Sequence, residues 1–220
     1  MENALFIGSA WVIPILLAIT MHEAAHGYAA LRLGDDTALK AGRISINPLR
    51  HIDPIGTILL PALLYFTAGF MFGFAKAVPV NFSGLNNPRR DMVWVAVAGP
   101  ASNIAMAAIA SALFALTSPD GGLTSEWIRE ALVVAMAINV ILAVFNMLPI
   151  PPLDGGRVAV GLLPNFLAYP LARLEKLGIF LVLGAVFLLP MIGINFFGGI
   201  ILPVAQFVLT LIGGPSLFGL

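Results

Sequence analysis

No cysteine occurs anywhere in the chain. Disulfides, thiolate metal ligands and a cysteine nucleophile are therefore excluded. Charge is almost as scarce: Asp, Glu, Lys and Arg make up 10% of the 220 residues, against about 25% in a typical soluble domain. So few charges cannot cover a water-facing surface of this size, and with 60% hydrophobic residues and a mean hydropathy of +0.99 the bilayer is the natural solvent. The 11 basic and 11 acidic residues cancel, and no basic stripe is present to neutralise phosphates, which excludes nucleic acid as a partner. No basic leader segment or small-residue cleavage site precedes the first apolar stretch, so that stretch is expected to be kept as a membrane helix.

A bilayer-crossing helix needs about 20 mostly apolar residues. Residues 4–33 supply one, ending before Gly34, and residues 92–117 and 127–148 supply two more. Residues 55–74 are apolar but interrupted by Pro61, Gly69 and Gly73. Residues 178–212 break around Pro190 to Gly193, which predicts a helical hairpin. The polar connections 35–54 and 75–90 hold short β-prone pieces such as Arg43–Ile46 and Val78–Val80. The expected fold is an all-α membrane protein: a multi-helix transmembrane bundle in a single domain, 1–220.

Every Lys and Arg except Arg129 falls at or after the end of the first span, before the 92–117 span or after the 127–148 span. Taken as cytoplasmic marks, these clusters put all three places on one side and residues 118–128 on the other. Segment 55–74 must then enter and leave on the same side, as a re-entrant loop or hairpin. Irregular backbone at that depth is tolerated only against protein or a wet cavity.

His22-Glu23-Ala24-Ala25-His26 lies in the first span. Histidines at i and i+4 share one helix face, so their ring nitrogens can meet one ion. Glu23 beside them can reach a metal-activated water without being a ligand. Three such polar residues in a membrane helix cost several kcal/mol in all unless they are paired or functional (about 2–4 kcal/mol each). At ~1.5 Å per residue, His22 and His26 lie about 15 and 9 Å from Arg32, submerged but near the cytoplasmic end. A catalytic zinc needs a third protein ligand and an open position. The candidates are His51, Asp53, Asp91 and Asp154, and Asp154 is preferred. It follows Asn146-Met147-Leu148-Pro149-Ile150-Pro151-Pro152-Leu153 just past the third crossing. The charge pattern makes that crossing parallel to the first, which brings Asp154 to the end that carries the histidines. Asn103 is expected either to hydrogen-bond near the site or to bond across helices, His51 to be structural, and Asp53 to cap a helical turn.

Taken together, HEAAH in a membrane helix, AGPASN at 98–103 and NMLPIPPLDGGR at 146–157 resemble the site-2 protease family of intramembrane zinc metalloproteases. Further likeness runs through 42–57 and 74–81, and the whole is similar to the short prokaryotic subgroup without PDZ or CBS domains. The resemblance implies one Zn2+ on His22, His26 and Asp154, Glu23 as catalytic acid and base, and Asn146 as a group that positions substrate or stabilises the oxyanion. It implies a three-helix catalytic core (4–33, 92–117, 127–157), a membrane-protein substrate and a multi-pass protein of the cell membrane, with its site near the cytoplasmic face. Oligomeric state is not implied. The β-prone pieces 43–47 and 77–81 are expected to receive an unwound substrate segment by strand addition. A membrane metal-handling or transport protein, or a non-cleaving pseudoprotease, is the alternative.

Overall fold

The computed structural model describes residues 2–59, 63, 73 and 76–217. Among them are eight α-helices: α1 (Glu2–Arg32), α2 (Thr37–Lys40), α3 (Pro88–Ala115), α4 (Gly122–Asn146), α5 (Asp154–Leu162), α6 (Asn165–Arg173), α7 (Gly178–Met191) and α8 (Leu202–Leu211). No strand occurs among the described residues. The β-prone pieces run instead as irregular chain, with Ile44 and Val78 against Gly27 of α1. Most of segment 55–74, and with it the expected re-entrant loop, lies outside the described residues; what is described of it begins as a π-helical turn, Pro54–Leu59.

Among the described residues, three helices are long and apolar enough to cross a membrane: Gly8–Arg32, Pro88–Ala115 and Gly122–Asn146. Their outward faces carry large apolar side chains such as Leu17, Trp94, Ile109 and Leu113, each 44–60% exposed. Water would not tolerate that display along whole helices, whereas acyl chains do. The inward faces are small. Ala18, Ala24 and Ala30 on α1 and Ala96, Ala107 and Ala110 on α3 are all buried. In lipid, helices gain little by hiding apolar surface from apolar solvent, so close backbone approach over small residues is what packs them.

Hydrogen bonds between helices fix their directions. Trp127 Nε1 donates to Ser9 Oγ and Trp11 Nε1 to Glu130 Oε1. Both pairs join the beginning of α1 to the beginning of α4, so these two helices run parallel. Asn103 on α3 reaches Ala18 O, while Val95 reaches His26. Later positions on α3 thus meet earlier ones on α1, so α3 returns antiparallel between them. The odd number of crossings expected from the charges is the one observed.

Helix α1 stops as its sequence prescribes. Gly34 takes φ +109°, a left-handed backbone that costs a side-chain-bearing residue strain. Gly34 N–H donates to Leu31 O and Asp35 N–H to Ala30 O, which closes the last carbonyls. Asp35, only 3% exposed, then accepts from Thr37 N and Oγ1 through Oδ1 and from Asn81 N through Oδ2. This carboxylate pins the 76–81 segment to the end of α1. Burial would raise its pKa, but the hydrogen bonds from Thr37 and Asn81, helped by Lys40, outweigh that and hold it below the usual carboxylate range. A folded-state pKa below the unfolded one gives stability that is complete above about pH 4 and lost as pH falls further. Thermal unfolding in detergent should therefore show an acid-side decline in Tm below about pH 4 that Asp35→Ala flattens, with the variant already less stable at pH 7.

The C-terminal part begins with α5 and α6, which the prolines at 149, 151, 152, 164 and 170 obscure in the sequence. The chain then bends by 77° between 165–177 and 180–191. Helix α7 ends at Met191, Gly193 turns the chain at φ +82°, and Phe197–Leu211 follows as an apolar helix against α3 and α4. The expected break between two short helices is present, but the second packs on α3 and α4: it buries Ala205 and Leu209 against Ala107, Ala110, Met136 and Val140.

Candidate metal centre

His22 and His26 stand one turn apart on α1, with ring centroids 4.6 Å apart and planes at 85°. Their Nε2 atoms are 3.0 Å from each other. Asp154 Oδ2 lies 3.2 Å from His22 Nε2 and 3.3 Å from His26 Nε2. All three side chains are buried, with residue exposures of 7, 9 and 6%, and one donor atom from each lies within 4.8 Å of the other two. No other group of three described His, Cys, Asp or Glu side chains is similarly placed.

Two local features bring Asp154 there. It is the first residue of α5, where the free N–H groups of a helix start favour a carboxylate. The following glycines let that helix start press onto the proline-rich turn. A Cβ on Gly155 would sit 2.2 Å from Met147 O, and one on Gly156 2.3 Å from Pro151 N. The far end of α5 is held by Arg89 from the start of α3. Its guanidinium donates to Gly161 O and Leu163 O, which caps the helix, and to Asn165 Oδ1.

The hydrogen bonds behind the rings decide what the front can do. His26 Nδ1 is 2.7 Å from Val95 O, a carbonyl that can only accept, so Nδ1 carries the hydrogen. His22 Nδ1 is 2.6 Å from Asn103 Oδ1, and both amide hydrogens of Asn103 are donated elsewhere. Neutral imidazoles held this way present Nε2 lone pairs inward. Asp154 Oδ2 is buried and, despite its short distances to both rings, makes no hydrogen bond of acceptable geometry. Two lone-pair nitrogens and an unpaired carboxylate oxygen facing one point are mutually repulsive unless a cation lies between them. Two nitrogens and one oxygen with room for a further ligand is a donor set of catalytic zinc. Gly99 supplies that room on α3: a Cβ there would be 2.4 Å from His26 Nε2.

Glu23 is half-buried and outside the donor trio. Its Oε2 accepts from Val78 N–H at 2.7 Å. Glu23, His22, His26, Asp154, Val78 and Asn146 all line one cavity of about 380 Å3. Asn146 donates one amide hydrogen back to Leu142 O on its own helix, and so reaches the cavity wall without touching the trio. Asn103 both borders the site and bonds across helices. His51, 2% exposed, donates from Nε2 to Ser45 O, a structural role. Asp53 caps the turn that follows it through Ile55 N and Gly56 N. Two residues escaped sequence reasoning. Gly99 stands in the AGPASN motif, but no role of its own was expected for it. Asn139, 1% exposed, carried a usable signal, because an amide in an apolar span demands a partner.

An imidazole pair and a carboxylate beside a second carboxylate, in a cleft among membrane helices, define a metallohydrolase type of centre. The chain belongs to peptidase family M50, whose family model matches residues 10–191. It is similar to proteins named "putative zinc metalloprotease". YwhC of Bacillus subtilis is 39% identical over 178 residues, covering 78% of each chain. Rip2 of Mycolicibacterium smegmatis is 30% identical over 142 residues, covering 64% of this chain and 52% of its own length. Rip2 of Mycobacterium tuberculosis is 31% identical over 140 residues, with the same coverage of 64% and 52%. No solved structure matches the chain. Family membership agrees with the likeness to site-2 proteases read from the three sequence motifs.

Proposed function

We propose that this chain is an intramembrane zinc endopeptidase that hydrolyses peptide bonds in or beside the membrane-spanning segments of other proteins. The observation that carries the reading is the convergence of His22 Nε2, His26 Nε2 and Asp154 Oδ2 on one point among membrane-crossing helices, with Glu23 on the same cavity. His22, His26 and Asp154 would hold the ion. Zinc, when bound, supplies Lewis-acid polarisation of a carbonyl and acidification of water.

Glu23 does the proton work. Its carboxylate takes the proton of the attacking water and returns it to the amine that leaves. The Val78 N–H fixes one of its oxygens, which leaves the other to face the reacting water. Asn146 keeps a second amide hydrogen for the substrate or for the oxygen on which charge develops. A helical substrate hides its peptide bonds in its own hydrogen bonding, so it must unwind locally. Ala77, Val78 and Val80 line the cavity beside Glu23 as chain outside any helix. They are placed to take up unwound backbone by strand addition.

The depth of the site supports substrates of this class. His22 and His26 lie roughly one to three helical turns inside the end of α1 marked by Arg32. A soluble peptide would have to leave water to reach them, whereas a neighbouring transmembrane segment is already at that level. All the basic residues except Arg129 fall at or after the end of α1, before or at the start of α3, or after α4, and by the positive-inside rule that end of the bundle would be cytoplasmic. The whole chain would act as one catalytic domain.

The test is a single-spanning substrate reconstituted with the purified protein in liposomes. Product ends mapped by mass spectrometry should fall within or at the edge of the spanning segment, disappear with a chelator and return with zinc. Zinc flux without any cut would instead indicate a metal-handling protein, and stable binding of an uncut substrate a pseudoprotease.

A further inference from the structure

We infer that Asn139 and Asn103 form a directional hydrogen-bond relay that holds His22 in the tautomer whose Nε2 lone pair faces the metal position. The inference rests on the reading of His22 as a ligand, and extends the functional residues to a part of α4 remote from the cavity wall.

The direction of the relay is fixed at its far end. Ala135 O is a backbone carbonyl and can only accept, so Asn139 approaches it with Nδ2, at 2.9 Å. That turns Asn139 Oδ1 toward Asn103, whose Nδ2 donates to it at 2.7 Å and to Ala18 O at 3.1 Å. Both amide hydrogens of Asn103 are then used. Its Oδ1 has only lone pairs to offer His22 Nδ1, 2.6 Å away. The ring must answer with Nδ1–H, and a neutral imidazole has no second hydrogen for Nε2. Reversing either amide would set carbonyl oxygen against carbonyl oxygen.

Burial makes this binding. Asn103 is 0% and Asn139 1% exposed, so no water competes for either amide. The two histidines are handled differently. His26 takes its orientation from a backbone carbonyl, Val95 O, which no substitution at that position removes. His22 takes its orientation from side chains alone. Without them, its Nε2–H tautomer becomes accessible, which puts a hydrogen on the nitrogen that the metal requires, 3.2 Å from Asp154 Oδ2. The relay also spans α1, α3 and α4 at the level of the site, so simple helix-to-helix adhesion is the rival explanation. That role would leave the ring tautomer untouched.

The experiment uses the full chain in detergent with 15N-labelled histidine. Only three histidines contribute, and His22 is identified by the signal lost in His22→Ala. In metal-free wild type, His22 should show a protonated Nδ1 and an unprotonated Nε2. Asn103→Leu should shift it toward protonated Nε2 and weaken zinc binding, read by chelator competition, about 10- to 100-fold. Asn139→Leu should move both readouts the same way by less, because Ala18 O still orients Asn103. Ser111→Ala, which removes a hydrogen bond from α3 to Ile212 O, should change neither. A wild-type His22 protonated at Nε2 would overturn the relay. So would Asn103→Leu, or Asn139→Leu should the first variant not fold, with wild-type nitrogen signals and zinc affinity. Zinc content that survives His22→Ala would overturn the ligand reading instead, and the metal-free nitrogen signals separate the two failures.

Discussion

Glu23→Gln should leave one zinc bound per chain while lowering peptide cleavage by about 10²- to 10⁴-fold, the range attributed to a positioned general acid–base group. Glutamine matches the size of glutamate, and its carbonyl oxygen can still accept from Val78 N–H, the bond that Glu23 makes at 2.7 Å. Neither the loop nor α1 should therefore move. What changes is the affinity for a proton, which an amide lacks at neutral pH. Because Glu23 is not one of the three converging donors, metal content is expected to be unchanged. Turnover on a membrane substrate and zinc content measured on the same preparation make the check. A variant that cleaves at the wild-type rate would remove Glu23 from the proton path.

Gly99→Ala should separate the metal centre from the fold in the opposite way. The added methyl would lie 2.4 Å from His26 Nε2, 2.6 Å from its Cε1 and 2.7 Å from His22 Cε1, all well inside contact distance. The rings cannot simply swing aside, because Val95 O and Asn103 Oδ1 hold them from behind. Helix α3 itself should not suffer, since alanine in a helix interior is favoured over glycine by roughly 0.5–1 kcal/mol. Helicity and detergent extraction should stay as in wild type, while zinc binding weakens by at least about tenfold, the scale of disturbed ligand support, and cleavage falls with it. Gly8→Ala, which meets nothing within 4 Å, is the matched control. Normal zinc affinity in Gly99→Ala would mean that the ion lies elsewhere.

These expectations show where the sequence carries its information. The crossing helices are legible because lipid permits little else than long apolar runs, and Gly34 marks the end of the first, although the span expected at 92–117 begins earlier, at Pro88. The i, i+4 histidines are legible because helix geometry alone puts them on one face. Asp154 is legible only through topology: which end of α4 it follows depends on counting crossings, and the distribution of Lys and Arg supplied that count. The helix that Asp154 begins was not legible. Proline-rich flanks on both sides of 154–162 read as turn, yet the close approach of Gly155 and Gly156 to the Met147–Pro151 backbone is what lets α5 start there. Asn139, and the role of Gly99 within the AGPASN motif, were missed for a related reason. Each acts through partners 36 residues and more away in the chain, Asn103 for the one and the histidine rings for the other, and no local periodicity announces such pairs. The β-prone stretch 77–81 shows a further limit. Its propensity favours a strand, but none forms: Val78 N–H and Asn81 N–H are bonded to Glu23 and Asp35 rather than to a neighbouring strand.

Zinc content of purified wild type, His22→Ala, His26→Ala and Asp154→Ala, measured by elemental analysis after identical handling, addresses the metal centre most directly. One zinc per wild-type chain and strongly depleted metal in each of the three variants, with extraction and helicity preserved, is the predicted result. A full complement of zinc in Asp154→Ala together with either histidine variant would contradict it, because no single ion could then depend on the convergence of α1 and α5.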